Sequence, residues 1–233
     1  MKRRFIISED EKQTIKNLYK INEQDDLYNT FVQGINQSWN ELMASKSKGG
    51  QSTSTPTSIS DTPISEKGQE LLNNPVFKEK LKEISQAINI DEKYIIKLIN
   101  HESGLNPTIT NSIGCTGLIQ FCPDSGTSKT INGIKYDLNQ LKNDLSLQMD
   151  VIKEFWLSGY KSGKIKSPED LYTFNLFPVA AGKPDDFVLQ TNSTSAQTIA
   201  KSNPIFNKKL GRPTDTPLTV GDLNRYYKQE GMI

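Results

Sequence analysis

Apolar side chains recur at helical spacing in the first 44 residues of the chain. The steps are three and four positions, which place side chains on a single stripe of a helix. The stripe consists of Leu27, Tyr28, Phe31, Val32, Ile35, Trp39, Leu42 and Met43. Ser8 followed by Glu11 also fits a capping box, which is typical of a helix start. Residues 1–44 are therefore predicted to form one or two amphipathic helices that lack a core and must pack against the main domain or a partner.

The pattern disappears between residues 45 and 63. This stretch, SKSKGGQSTSTPTSISDTP, is rich in Ser, Thr, Gly and Pro and almost free of large apolar side chains. It cannot bury enough surface to offset the entropy cost of ordering, so it is predicted to be a flexible linker. The sequence thus divides into a helical docking segment (1–44), a linker (45–63) and a main domain (64–233).

Helical spacing returns from residue 64 and continues through most of the main domain. One predicted helix face carries Phe77, Leu81, Ile84 and Ile88. Asp91 is a suitable N-cap for the helix that follows it, and Gly104 is placed to end that helix. Ser167 precedes a proline and two acids, which is the composition of a helix N-terminus. Runs in which apolar and polar residues alternate, as they do along a strand, are scarce, so a mainly α fold is predicted. A small hairpin is possible around residues 129–138.

Charge and hydropathy exclude several classes of function. The chain has 233 residues and a formal net charge of +1. The sequence contains no stripe of basic residues interleaved with aromatic residues, which is the pattern that would indicate nucleic-acid binding. No run approaches the roughly 18 apolar residues of a membrane helix, and the opening MKRRFIISEDEKQ has too short an apolar stretch for a signal peptide. We therefore expect no nucleic-acid partner, no membrane-spanning segment and no signal peptide.

Cysteine and histidine are too scarce to suggest a metal centre. The chain contains one histidine and two cysteines, Cys115 and Cys122. A zinc site built by the protein needs more of these ligands, so neither a metal nor a cofactor is predicted. A bridge between the two cysteines is sterically possible, but reduced thiols buried as small apolar side chains are the favoured interpretation.

Glu102 is the most distinctive chemical group in the sequence. It is placed in the last turn of an otherwise apolar helix, where unpaired carbonyl groups and the negative end of the helix dipole disfavour a carboxylate. Apolar neighbours would raise its pKa further by desolvation. An acid that keeps its proton near neutral pH can donate it to a leaving oxygen. On position alone, an exposed surface glutamate is the competing interpretation.

The residues after Glu102 favour the catalytic interpretation. ESGLNP, a short gap and GCTGLIQFCP resemble the signature of the lysozyme-like lytic transglycosylases, the superfamily of soluble transglycosylases and goose-type lysozymes. The interval from the glutamate to the glutamine matches without an insertion. A third motif of that family, A-Y-N-A-G, corresponds to LYTFNLFPVAAG, in which Asn175 aligns, Phe174 stands at the tyrosine position and Tyr172 comes two residues early.

The resemblance implies a lysozyme-like domain that cleaves the bond between N-acetylmuramic acid and N-acetylglucosamine in bacterial peptidoglycan. Glu102 takes the place of the general acid, and the same carboxylate would then act on the muramic 6-hydroxyl or on water. Asp124, just beyond the motif, is a less favoured base for water, and His101 is interpreted as a surface or supporting residue. The side chains expected to bind substrate or to support the groove are Gln120, Tyr172, Asn175, Asn111 and Ser112.

The third motif resembles the form seen in phage virion enzymes, and the N-terminal residues resemble short segments shared by virion proteins of large tailed phages. A virion enzyme explains how a chain without a signal peptide reaches the cell wall, and residues 1–44 would then bind virion structural proteins. An endolysin released by a holin is the other explanation. The rival class is a non-catalytic virion structural or glycan-binding protein that keeps the fold, although the presence of Glu102 favours an enzyme.

Overall fold

The computed structural model describes residues 64–191 and 194–233. The predicted docking segment (1–44) and linker (45–63) lie outside the described residues. Within the described residues the fold is mainly α, as predicted, with nine helices and a sheet of two strands.

The helices and strands follow one another along the chain in a simple order. They are α1 (Glu66–Asn73), α2 (Pro75–Ile88), α3 (Glu92–Ser103), β1 (Ser128–Ile131), β2 (Ile134–Asp137), α4 (Leu138–Asn143), α5 (Leu145–Lys161), α6 (Pro168–Leu176), α7 (Ala196–Ser202), α8 (Pro204–Lys209) and α9 (Val220–Gln229). None of the helices in the described parts of the chain is long and apolar enough to span a membrane.

Local capping explains where the helices that carry the site begin and end. The Asp91 carboxylate accepts a hydrogen bond from the Lys93 N–H and starts α3, and α3 ends where Gly104 adopts a left-handed conformation with φ of +62°. The Ser167 hydroxyl accepts from the Asp170 N–H and starts α6. These ends were predicted from the sequence, because a cap depends only on residues that are close along the chain.

The core lies between α2 and α5, with α3 and α6 packed around it. Helix α2 contributes the predicted face of Phe77, Leu81, Ile84 and Ile88, each of which is at most 3% exposed. At the edge of this contact, Lys80 pairs with Asp150 at 2.8 Å and Lys153 pairs with Glu83 at 2.9 Å. Such partly exposed ion pairs contribute little to stability, so burial of the apolar face is what holds the two long helices together.

The small hairpin that the sequence left possible around residues 129–138 is present. β1 and β2 pair antiparallel, with Ser128 opposite Asp137 and Ile131 opposite Ile134. Asn132 and Gly133 form the two-residue turn, and both have positive φ, 50° and 81°. An Asn-Gly pair adopts this conformation at little cost, and such a turn matches the twist of the two strands.

The C-terminal residues pack back onto α3 and α6. The Lys97 ammonium donates to the carbonyl of Gly231 at 2.7 Å. The Tyr172 hydroxyl lies 2.9 Å from the carbonyl oxygen of Tyr94 and 3.2 Å from that of Met232. The end of the chain is thereby attached to the two helices that carry Glu102 and Asn175.

Candidate active site

Glu102 lies in the last turn of α3, immediately before its capping glycine. The residue is partly accessible, whereas the next one, Ser103, is buried. Burial raises the pKa of the Glu102 carboxyl to about 8, and a hydrogen bond from the side chain of Asn175 partly opposes that rise. The carboxyl therefore keeps its proton at neutral pH and is still within reach of a molecule from solvent.

Asn175 brings an amide from α6 to this carboxyl. Its Nδ2 donates to Oε1 of Glu102 at 3.1 Å. Asn175 is 8% exposed, so its amide is a buried polar group that needs partners on both its oxygen and its nitrogen. This pair links two helices that are more than 70 residues apart in sequence, and it is the one hydrogen bond that the described residues make to the Glu102 carboxyl.

The oxygen of the Asn175 amide is engaged by Trp156 of α5. The indole Nε1 donates to Oδ1 of Asn175 at 3.4 Å, and Trp156 is completely buried. α5 and α6 approach closely at this point because Gly159 has no side chain. A Cβ at Gly159 would lie 2.8 Å from the ring of Phe174, the neighbour of Asn175 in sequence.

The loop after Glu102 is closed by a disulfide between Cys115 and Cys122. The favoured interpretation of two reduced thiols was therefore wrong. Thr116 and Phe121 exchange both main-chain hydrogen bonds, at 2.9 Å each. The next pair outward, Cys115 and Cys122, occupies a non-hydrogen-bonded position, where facing Cα atoms come closest. Their Cα atoms are 3.9 Å apart, which is a consequence of backbone pairing that cysteine spacing does not reveal.

Gln120 and Asn111, two of the predicted substrate-binding residues, bind each other across this loop. The Asn111 Nδ2 donates to Oε1 of Gln120 at 3.0 Å, and the Gln120 Nε2 donates to the carbonyl of Gly117 at 2.8 Å. The oxygen of Asn111 accepts from the main-chain N–H groups of Ile113 and Cys115. Both side chains thus organise the loop, and substrate contact by either of them stays a prediction. Ser112 is exposed on the same loop.

Gln148 of α5 was not singled out in the sequence, yet it anchors the loop to the core. Its Oε1 accepts from the Leu118 N–H at 2.7 Å, and its Nε2 donates to the carbonyls of Pro107 and Leu141. A Cβ at Gly117 would lie 2.7 Å from that same oxygen. Glycine at this position of the motif is thus explained by the close approach of the Gln148 side chain as well as by a φ of +82°.

Tyr172 does not hydrogen-bond to Glu102. It is 1% exposed, and its hydroxyl is engaged by main-chain carbonyl groups near the end of the chain. Two further tyrosines, Tyr226 and Tyr227 of α9, are buried beside it. Burial raises the pKa of all three phenols, and the negative charge of Glu102 adds to each rise. The three rings therefore lie within electrostatic reach of Glu102, and the expected role of Tyr172 stays a prediction.

Asp124 and His101, the two other titratable residues considered near the motif, each contact other side chains of the fold. Asp124 accepts from the Lys129 ammonium at 2.7 Å and from the Thr130 N–H at 2.6 Å. Both contacts hold the start of the hairpin, and a role for Asp124 as a base for water stays a prediction. The ring of His101 lies edge-on to Tyr226, with centroids 6.3 Å apart. Across the described residues, no group of three or more His, Cys, Asp or Glu side chains could hold a metal ion.

Part of the chain matches a known protein family, and the match includes the segment that carries Glu102. Residues 79–148 match the family model of the transglycosylase SLT domain. The match includes Glu102, the disulfide loop and the glutamine that anchors it, and it supports a relationship of this part of the chain to the lysozyme-like lytic transglycosylases. Trp156 and Asn175 lie beyond the matched residues. No curated protein and no solved structure matches the chain.

Proposed function

We propose that the chain cleaves the glycan strand of bacterial peptidoglycan between N-acetylmuramic acid and N-acetylglucosamine. Glu102 donates its proton to the glycosidic oxygen and afterwards acts as the base. The observation that supports this most strongly is a partly accessible carboxyl that is protonated at neutral pH and sits in the segment that matches the transglycosylase domain.

A single carboxylate is sufficient for this chemistry. Burial and the Asn175 amide are the two influences on the pKa of Glu102, and no second acid of the described residues contributes. Glycosidases that use two carboxylates place the second one about 5–9.5 Å from the first. With one acid, the acetamido group of the substrate stabilises the positive anomeric carbon. The Glu102 carboxylate then takes a proton from the muramic 6-hydroxyl, which gives a 1,6-anhydro product, or from water.

We further propose that the protein is carried in a phage particle and acts on the cell wall during infection. Residues 1–44 would bind virion structural proteins, and residues 45–63 would let the main domain reach the wall. The support is the amphipathic pattern of the first segment, the composition of the second and the phage-like form of the third motif. Co-purification of the full chain, but not of residues 64–233, with phage particles tests this role.

The catalytic proposal is tested by a zymogram on purified peptidoglycan. The wild type should clear the gel, whereas Glu102→Gln should not. Glu70→Gln is a matched control, because Glu70 is an exposed glutamate on α1 and should clear like the wild type. A folded wild type that leaves the gel intact would favour the rival function of a virion structural or glycan-binding protein. Mass spectrometry of the released fragments distinguishes anhydro from reducing ends.

The activity should depend on pH through the proton of Glu102. Because burial raises the pKa of this carboxyl to about 8, the acid stays protonated through neutral pH. Turnover should therefore fall as pH rises through about 8. Initial rates on soluble glycan fragments between about pH 3 and pH 10 measure this decline, and a decline centred near the ordinary glutamate pKa of 4.5 would contradict the assignment.

A further inference from the structure

The carboxyl of Glu102 has two oxygens, and the structure distinguishes them. Oε1 accepts the amide hydrogen of Asn175 at 3.1 Å. The carbonyl oxygen of a protonated carboxyl is a better acceptor than its hydroxyl oxygen, so this contact favours the acid that carries its hydrogen on Oε2. A protonated carboxyl has one donor oxygen and retains acceptor capacity on the other, and the Asn175 contact decides which is which.

The orientation of the Asn175 amide is in turn set by Trp156. An amide can present either its oxygen or its NH₂ group to a neighbour, whereas an indole N–H can only donate. The Trp156 Nε1 faces Oδ1 of Asn175 at 3.4 Å. Because Trp156 is completely buried, turning the amide around would leave its N–H opposite another donor, at the cost of an unmade buried hydrogen bond. The indole thus keeps the NH₂ group of Asn175 directed at Glu102.

We propose that Trp156 is a positioning residue for the acid, acting through Asn175, and that Oε2 of Glu102 is the oxygen that delivers the proton. The inference rests on the proposed glycosidase function. In the cleavage step the proton passes from Oε2 to the glycosidic oxygen. The C1–O bond breaks with its electron pair going to that oxygen, and the negative charge remains on the carboxylate. The Asn175 N–H already points at Oε1 and stabilises this charge without reorganisation.

The packing of α5 on α6 supports this arrangement. Trp156 and Gly159 are three residues apart, so they lie on the same face of α5. The absence of a side chain at Gly159 lets Phe174 approach to a distance that a Cβ would forbid. Trp156 is thereby brought close enough to reach the amide next along α6.

Removing the indole N–H tests the proposal. The probe replaces Trp156 with β-(3-benzothienyl)alanine, an isostere in which sulfur stands in place of the N–H. It is introduced into the full chain in a Trp39→Phe background, because the sequence has two tryptophans. Trp156→Phe is a second, simpler variant. The readouts are the titration of the Glu102 carboxyl by ¹³C NMR and the pH dependence of kcat.

Without the N–H, the amide of Asn175 is free to turn and accept the proton of Glu102. We expect the titration midpoint to rise above that of the wild type, and kcat below the midpoint to fall about tenfold because the proton is then held by the amide. Phe155→Leu is the matched control. Phe155 lies next to Trp156 and packs on Phe174 with ring centroids 5.0 Å apart, but it makes no hydrogen bond to Asn175, so its loss should leave the midpoint unchanged.

A folded isostere variant with the wild-type midpoint would overturn the positioning role. So would a Phe155→Leu variant with the same rise in midpoint, because general loosening of the core would then explain it. The carboxyl titration does not require turnover. If the wild type fails to cleave glycan while the isostere raises the midpoint, the proposed glycosidase function fails and the positioning of Glu102 by Trp156 stands.

Discussion

Replacing Glu102 with glutamine should stabilise the fold at neutral pH while abolishing activity. Glutamine has the shape of the protonated acid, and its oxygen can accept the same hydrogen bond from Asn175. In the wild type, burial raises the pKa of this carboxyl from 4.5 to about 8. The unfolded chain therefore releases the proton as pH rises through 4.5, whereas the folded protein holds it until about pH 8.

The sign and size of the effect follow from this difference. Between the two pKa values the folded state binds more protons than the unfolded state, so the free energy of unfolding decreases as pH rises. The decrease is about 1.4 kcal/mol per pH unit. From pH 5 to pH 7.5 the upper bound is about 3 kcal/mol, and solvent screening at a partly accessible residue lowers the expected value to about 2 kcal/mol.

Urea unfolding of both proteins at pH 5 and pH 7.5 measures this quantity. The stability of Glu102→Gln relative to the wild type should increase between the two pH values by about 2 kcal/mol. Any fixed cost or gain of packing a glutamine is the same at both values and cancels. Glu70→Gln, the exposed control, should show no such increase. A relative stability of Glu102→Gln that does not change with pH would refute a buried, protonated acid.

Three other changes test the surroundings of the site. Gly159→Ala should cost about 1–3 kcal/mol, measured by urea unfolding, because its methyl group would press on Phe174 and separate α5 from α6. Gln148→Leu should cost about 2–3 kcal/mol and reduce glycan cleavage, because it leaves the buried main-chain groups that the glutamine binds without a partner; a variant as stable as the wild type would contradict this. Cys115→Ser combined with Cys122→Ser should lower stability by about 2.5 kcal/mol, the chain-entropy value for so short a loop, and thermal unfolding with and without reductant checks it, since reductant should destabilise only the wild type.

The parts of the fold that the sequence predicted are those controlled by neighbouring residues. The buried face of α2 and the caps at Asp91 and Ser167 each depend on side chains only a few positions apart. The same is true of the hairpin that the sequence left possible around residues 129–138. The raised pKa of Glu102 was also expected, once the motif that follows it had favoured a catalytic acid over an exposed surface glutamate. Burial is the dominant cause in the structure.

The features that escaped prediction depend on packing between distant segments. The disulfide follows from the main-chain pairing of Thr116 with Phe121. A pairing of only two residues leaves no hydrophobic periodicity in the sequence. The role of Trp156 depends on how closely α5 approaches α6. In the sequence, Trp156 is one apolar residue among several on its helix, and its N–H acquires a specific partner only through that approach.

The attachment of the chain's last residues has a practical consequence for handling the protein. The carbonyl groups of Gly231 and Met232 are held by Lys97 and Tyr172, side chains of the helices that carry Glu102 and Asn175. An affinity tag or fluorescent fusion joined after Ile233 would lie next to these contacts, and we expect it to disturb the two helices. The exposed side chain of Lys67 on α1 is a better attachment point for a label, because this residue faces water and is not in the buried core.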